Sequence, residues 1–90
     1  MAEYADDIQS QLDAVAELLA SDDLEQAWIF LEKLDHQFPD SPDVQAMMGD
    51  AFMQEGDLEQ ALEAYDRTIE LDPEWSDGLS ARADCLVELG

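Results

Sequence analysis

Two copies of one pentapeptide, Asp-Leu-Glu-Gln-Ala, occupy residues 23–27 and residues 57–61 of this 90-residue chain. The offset between them, 34 residues, also carries Pro39 onto Pro73. Further matches occur in the same register: Gln11 with Gln45, Asp43 with Asp77, Asp50 with Asp84 and Gly56 with Gly90. One short identity could be accidental, but all these matches share a single offset. The chain is therefore built of internal repeats with a period of 34 residues.

Within each period the apolar residues follow a helical spacing. An amphipathic helix is indicated by residues related as i, i+3, i+4 and i+7: Leu12, Val15, Ala16 and Leu19. Ser41-Pro42-Asp43 is a typical helix start, and Gly56 followed by Asp57 is a typical helix end and new start. No segment alternates with a period of two. The predicted fold is all-α, with five helices near residues 4–20, 24–37, 42–55, 58–71 and 76–89.

The composition is strongly acidic, with 24 Asp and Glu against 3 Lys and Arg and a formal net charge of −21. Contacts to phosphate need Lys and Arg, so this balance excludes nucleic-acid binding and disfavours an anionic membrane surface. No apolar run is long enough to span a bilayer, and residues 1–7 lack the basic and apolar regions of a secretory signal. We therefore expect a cytoplasmic protein.

Residues 42–73 carry two small residues, two large aromatic residues and a closing proline: Gly49, Ala61, Phe52, Tyr65 and Pro73. In this arrangement they resemble the tetratricopeptide repeat (TPR) family, and the resemblance extends over nearly the whole chain. It implies antiparallel helix pairs that stack as a right-handed solenoid. It also implies one domain over residues 1–90, with a first repeat at about 6–39, a second at about 40–73 and a half repeat at 74–90.

The first repeat and the half repeat depart from the family pattern. The first repeat has Val15 where glycine is usual, Asp22 where glycine usually turns the chain, and Leu31 at the second aromatic place. In the half repeat, Arg82 occupies a place where an apolar residue is expected. Arg82 suits the solvated face of a capping helix. The alternative, which we favour, is that the chain is cut from a longer array of repeats.

The resemblance also implies a function, because TPR domains hold a partner segment in a concave groove lined by the first helix of each repeat. By register, the groove residues here are Leu12, Ala16, Leu19, Asp43, Ala46, Asp50, Met53, Asp77, Asp84 and Val87. One subclass grips the C-terminal carboxylate of heat-shock chaperones with Lys, Asn and Arg. The residues of this chain at those places cannot bind a carboxylate: Leu12, Ala16, Met47, Asp77 and Ala81.

Candidate catalytic or metal-binding residues are few. His36 is the only histidine, and it lies late in a helix, where a positive charge is favourable and Glu32 could pair with it. Cys85 is the only cysteine; it aligns with Ala51, a small packing position, and no histidine in its repeat could activate its thiol. Acid pairs are numerous, but none has the spacing of a calcium loop. We expect no enzymatic activity, no cofactor and no bound metal.

The expected partner is a protein or peptide with apolar anchors and with Lys or Arg, because the groove combines apolar residues with acids. The groove is no richer in acids than the exposed surface as a whole. We therefore interpret the acidity as adaptation to high salt, as in halophiles, with a basic partner as the other explanation. We expect a monomer that serves as a binding scaffold. The alternative is a self-associating structural segment, in which an exposed helix face near Gly90 pairs with another copy.

Overall fold

The computed structural model describes residues 7–90 and contains five α-helices of 14 residues each. They are α1 (Asp7–Ala20), α2 (Leu24–Gln37), α3 (Pro42–Glu55), α4 (Leu58–Leu71) and α5 (Ser76–Leu89). No strand occurs within this range. The last four helices have the predicted bounds. The predicted start of the first helix, at residue 4, lies outside the described residues.

The helices form two consecutive pairs followed by a single helix. Loops of two to four residues connect them, and connections this short make consecutive helices antiparallel neighbours. We call α1 and α2 the first hairpin, and α3 and α4 the second hairpin. α4 packs against both α3 and α5, and α1 packs against α3, whereas α3 and α5 make little contact with each other. The all-α fold predicted from the helical spacing is confirmed, and consecutive helices pack as the family resemblance implied.

The repeated pentapeptide is a helix start in both copies. Asp23 accepts a hydrogen bond from the backbone N–H of Gln26 at 3.4 Å, and Asp57 accepts one from the backbone N–H of Gln60 at 3.4 Å. Ser41 caps α3 in the same way. Each bond satisfies one of the donors that the first helical turn leaves unpaired. The identical sequence at residues 23–27 and 57–61 therefore encodes an identical local structure.

Two buried clusters hold the helices together. The larger lies in the first hairpin and against α3: Leu12, Val15, Leu19, Ala27, Leu31, Leu34, Val44 and Ala51. The smaller joins the second hairpin to α5: Ala61, Tyr65 and Cys85. Since the apolar residues at helical spacing meet in these clusters, burial of apolar surface is the main stabilising contribution.

Three side chains make specific contacts between helices. Trp28 contacts Phe52, with ring centroids 4.7 Å apart, and its Nε1 donates to Glu55 Oε2 at 2.6 Å. Cys85 is fully buried, as its alignment with Ala51 predicted. Arg82 is only half exposed, and its Nε donates to Asp66 on α4, so it ties α5 to the second hairpin.

Candidate partner-binding groove

Two cavities lie side by side on the face formed by α1, α3 and α5. The first has a volume of about 360 Å³ and is lined by Gln9, Leu12, Asp13, Asp43, Ala46, Met47, Asp50, Tyr65, Trp75, Asp77, Gly78 and Ala81. The second has a volume of about 430 Å³ and is lined by Ala16, Leu19, Met47, Asp50, Met53, Gln54, Tyr65, Ala81 and Asp84. Because four residues border both cavities, the two form one continuous groove.

The sequence assigned ten residues to this groove, and nine of them line one of the two cavities. Val87 does not; it lies on α5 with 77% of its surface exposed, outside both linings. Its register matches that of Met53, which does line the second cavity. The α5 residues that do line the cavities all precede Val87, so the groove ends before the last turn of α5: Asp77, Gly78, Ala81 and Asp84.

Tyr65 is a groove residue that reasoning from register missed, because it belongs to α4, the second helix of its pair. Its ring fills the space beside Gly49, where an added Cβ would lie 2.5 Å from Tyr65 Cε1. The phenol donates a hydrogen bond to Asp50 Oδ1 at 2.6 Å and thereby reaches the groove. The sequence does show the pair, a glycine on α3 that faces an aromatic residue on α4. Only the structure shows that the aromatic ring extends from this contact to the groove.

Trp75 is another groove residue that reasoning from register missed. It precedes α5, at the cap position, and its side chain lines the first cavity beside Gly78. The ring lies about 4.0 Å from the place where a Cβ on Gly78 would stand. Trp75 lies two residues after Pro73, in the turn before α5. In the structure its side chain also borders the groove and provides an aromatic surface there.

The end of the groove beside α1 is held by a side-chain contact. Gln54 Nε2 on α3 donates to the carbonyl oxygen of Leu19 on α1 at 3.0 Å. This carbonyl belongs to the last turn of α1, where backbone acceptors lack partners inside the helix. The bond fixes the distance between α1 and α3, so this part of the groove is preformed.

All charged residues that line the groove are acidic. Four aspartates border the first cavity: Asp13, Asp43, Asp50 and Asp77. No Lys or Arg is among the described residues that line either cavity. Burial raises the pKa of Asp50 above its ordinary value of 3.8, and the hydrogen bond from Tyr65 partly opposes that rise. Burial, followed by the bond to Asp50 and its negative charge, raises the pKa of Tyr65 above 10.0.

The metal-ligand residue types and the single cysteine can be placed within the described residues. Among residues 7–90, no group of three or more His, Cys, Asp or Glu side chains is arranged to hold a metal ion. The Cys85 thiol donates to the carbonyl oxygen of Leu58 at 3.1 Å. Its pKa is raised by burial and by the charges of Asp66 and Glu88. A buried thiol kept protonated in this way is a poor nucleophile, because the thiolate is the reactive form.

None of the helices within residues 7–90 has the length and apolar character needed to cross a bilayer. A comparison with protein families finds a match to the model of the tetratricopeptide repeat over residues 3–90. No curated protein and no solved structure matches this chain. Repeats of that family typically act as non-catalytic protein-interaction modules. Since the match covers almost the whole chain and the five helices pack as stacked hairpins, this protein belongs to the tetratricopeptide repeat family.

Proposed function

We propose that this chain is a scaffold that holds a segment of a protein partner in the groove formed by α1, α3 and α5. The observation that supports the proposal is the continuity of the groove. The two cavities share Met47, Asp50, Tyr65 and Ala81, so a single extended or helical segment can occupy both. Their volumes, about 360 and 430 Å³, lie at the lower end of the range for ligand pockets. Each is suited to one or two side chains rather than to a folded domain.

The floor and rim of the groove indicate the chemistry of that segment. Leu12, Met47 and Met53 supply apolar surface, and methionine adapts its shape to different partners. Asp43 and Asp77 at the rim are exposed, and an exposed ion pair contributes only about 0–1 kcal/mol. The apolar anchors therefore provide most of the affinity. The acids favour Lys or Arg beside those anchors and increase the rate of association at low salt.

The experiment starts from a random peptide library displayed on phage and selected against the purified chain. We expect enriched peptides to combine large apolar residues with Lys or Arg. Binding of a labelled enriched peptide is then measured by fluorescence anisotropy against two variants that fill the groove, Ala46→Trp and Ala16→Trp. The matched control is Ile29→Trp, which adds the same ring on α2 at an exposed residue outside both cavities.

Binding should weaken at least about tenfold in both groove variants, since a blocked apolar pocket loses about 1.4 kcal/mol or more. The control should bind like the unaltered chain. The fluorescence of Trp75, which lines the groove, should respond to the peptide, and a Trp75→Phe variant identifies its share of the signal. Equal binding to Ala46→Trp, Ala16→Trp and the unaltered chain would show that the peptide binds elsewhere and would contradict the proposal.

We also propose that the acidity of the chain suits a solution of high salt. Acidic residues occur on every helix of the described chain and are not confined to the groove. At about 1 M salt the screening length is roughly 3 Å, so repulsion between these charges nearly vanishes. Under such conditions a partner held by charge alone would dissociate. This supports a groove in which apolar contacts carry the affinity.

A further inference from the structure

The two cavities of the groove differ in the chemistry of their linings. Four aspartates border the first cavity, together with the side chain of Trp75, which does not reach the second. The second cavity has two aspartates, Asp50 and Asp84, and its apolar surface includes Leu19 and Met53. An aromatic ring beside several carboxylates is suited to a cation, whereas the lining of the second cavity is suited to an apolar side chain.

The aspartates of the first cavity come from separate helices. Asp43 and Asp77 are exposed and occupy equivalent places in the first turns of α3 and α5. Asp50 lies two turns further along α3, and its Oδ1 accepts the hydrogen bond from Tyr65. Asp13 on α1 accepts a hydrogen bond from Gln9 Nε2 at 3.1 Å. Carboxylates therefore surround the first cavity from three helices.

The two cavities are offset along α3 by about one helical turn. The first is lined by Asp43 and Ala46, the second by Met53 and Gln54, and both by Met47 and Asp50. One turn of an α-helix rises about 5.4 Å, so side chains bound in the two cavities lie roughly 5–6 Å apart. This separation corresponds to about two residues of an extended segment or about four residues of a helical one.

We propose that the first cavity binds an arginine side chain of the partner segment and that the second binds a large apolar side chain of the same segment, an inference that rests on the proposed function of the groove. The two partner residues are two apart in an extended segment or four apart in a helical one. The first cavity thus selects arginine over lysine and gives the groove its specificity.

The shape of the guanidinium group is the reason for this selection. It is planar, it stacks on aromatic rings, and it holds five N–H donors in a rigid fork. One guanidinium can therefore stack on Trp75 and donate to carboxylates of α3 and α5 at the same time. The ammonium group of lysine is a compact and strongly hydrated charge, so it gains less from the ring and loses more on leaving water.

The net charge of the chain does not by itself distinguish the two basic residues. A charge of −21 attracts arginine and lysine alike, and salt weakens that shared attraction. Stacking and hydrogen bonds inside the cavity act at short range, and salt screens partly buried charges much less than exposed ones. The preference for arginine should therefore persist at about 1 M KCl.

The test repeats the phage selection at about 1 M KCl and uses a labelled enriched peptide in which an arginine and an apolar anchor have the proposed spacing. In one derivative lysine replaces the arginine and keeps its charge. In another, citrulline keeps the shape of arginine without its charge. Fluorescence anisotropy at the same salt concentration should show binding weakened at least about fivefold by lysine and at least about tenfold by citrulline.

Variants that fill one cavity at a time locate the arginine. Ala46 lines only the first cavity and Ala16 only the second. Ala46→Trp should remove the difference between the arginine and lysine peptides, whereas Ala16→Trp should weaken both and retain the difference. Trp75→Leu should reduce the difference several-fold. Loss of folded protein would weaken both peptides alike, so a changed preference cannot result from misfolding.

The acids have a matched control, because α2 and α4 also have an exposed acid in the first turn. These residues, Glu25 and Glu59, lie outside both cavities. The double variant Asp43→Asn with Asp77→Asn and the double variant Glu25→Gln with Glu59→Gln lose the same charge and the same favourable interaction with helix N-termini. The aspartate variant should bind the arginine peptide at least about fivefold more weakly than the glutamate variant does. Both variants should bind the citrulline peptide alike.

The outcomes separate this proposal from the proposed function. Equal binding of the arginine and lysine peptides, both still weakened by Ala46→Trp and Ala16→Trp, would overturn the arginine site and leave the groove function standing. Equal effects of the two acid variants would also overturn the arginine site, since overall charge would then account for the attraction. Enriched peptides that bind in the groove without arginine would do the same. If neither groove variant weakens any enriched peptide, the proposed function fails and the arginine site fails with it.

Discussion

The two hairpins share one sequence period but fill their centres in opposite ways. In the first hairpin Val15 on α1 is combined with Leu31 on α2, and both are fully buried. In the second hairpin Gly49 on α3 is combined with Tyr65 on α4. Since protein interiors are close-packed, the combined volume of the facing pair is constrained more strongly than either residue alone. The departures of the first hairpin from the family pattern are therefore compensated changes.

The difference between the two facing pairs also affects the groove. The Val15–Leu31 pair is entirely apolar and contributes only packing. The Gly49–Tyr65 pair lets a phenol pass from α4 to Asp50, which borders both cavities. The second hairpin therefore joins its own core to the proposed binding surface, whereas the first hairpin does not. Substitutions at the second pair should affect stability and the groove together.

The largest effect is expected from Gly49→Val, which introduces the residue of the first hairpin into the second. Its Cβ would lie 2.5–2.8 Å from three ring atoms of Tyr65, a residue that is only 2% exposed. Overpacking of this kind costs typically 1–3 kcal/mol, and we expect about 3 kcal/mol here. The helix propensity gained by replacing glycine, below about 1 kcal/mol, does not offset this. Urea unfolding measures the difference.

The control for this prediction is the double variant Gly49→Val with Tyr65→Leu, which copies the first hairpin. Substitutions at residues in contact do not have additive effects on the free energy of unfolding, and the coupling energies are about 0.5–3 kcal/mol. We expect the double variant to be more stable than the sum of the two single changes predicts. Strict additivity would show that the two pairs are not equivalent and that the volume argument is wrong.

Salt should act on both hairpins, because acids occur on all five helices. Raising KCl from about 0.01 M to 1 M shortens the screening length from roughly 30 Å to roughly 3 Å. We expect the melting temperature to rise by roughly 10 °C, corresponding to about 2 kcal/mol for a domain of this size. Thermal unfolding followed by circular dichroism measures it. A melting temperature unchanged from low to molar salt would contradict the proposed adaptation to high salt.

Tyr65→Phe removes the hydrogen bond that distinguishes the second pair and keeps the ring. The bond has a carboxylate acceptor but lies partly in solvent, so we expect a loss of about 1–2 kcal/mol. The bond also lowers the pKa of Asp50, so in the variant that pKa should rise further above 3.8. A carboxyl titration followed by NMR checks this. An unchanged Asp50 pKa would show that the bond does not persist in solution.

Because the pKa of Tyr65 is raised, the stabilities of Tyr65→Phe and of the unaltered chain should also depend differently on alkaline pH. The folded state favours the neutral phenol, so its stabilising contribution is fully present below pH 10.0, the ordinary pKa of tyrosine. It is lost as the pH rises further, toward the raised folded value. The unaltered chain should therefore lose more stability above pH 10 than Tyr65→Phe does. Parallel alkaline unfolding curves for the two proteins would be the contrary result.

Most of the fold could be predicted from the sequence, because caps and helical spacing are local signals. The four helices from α2 to α5 begin and end at the predicted residues. The register placed nine of the ten predicted groove residues on the cavities, and Val87 is the exception. The positions of Tyr65 and Trp75 on the groove depend on how their rings pack between helices. Such packing joins residues that are distant in the sequence, so no short motif corresponds to it.

The smallest expected effect concerns the turns that close the two hairpins. Gly56 has φ 81°, and Asp22, its equivalent in the first hairpin, has φ 62°, so both lie in the left-handed region. The following residue, Asp57 or Asp23, donates its backbone N–H to Phe52 or Leu18 in the same pattern. The turn geometry is thus shared, although only one of the two residues is glycine.

For a residue other than glycine, left-handed backbone costs roughly 1 kcal/mol or more, and aspartate tolerates it better than most residues. We therefore expect Gly56→Asp to destabilise the chain by about 1 kcal/mol. We expect Asp22→Gly to stabilise it by about 0.5 kcal/mol, because the greater freedom of glycine in the unfolded chain offsets part of the gain. Urea midpoints for the two single variants measure both changes. If Asp22→Gly lowered stability, the aspartate would be contributing a contact that outweighs its backbone strain, and the two turns would not be equivalent.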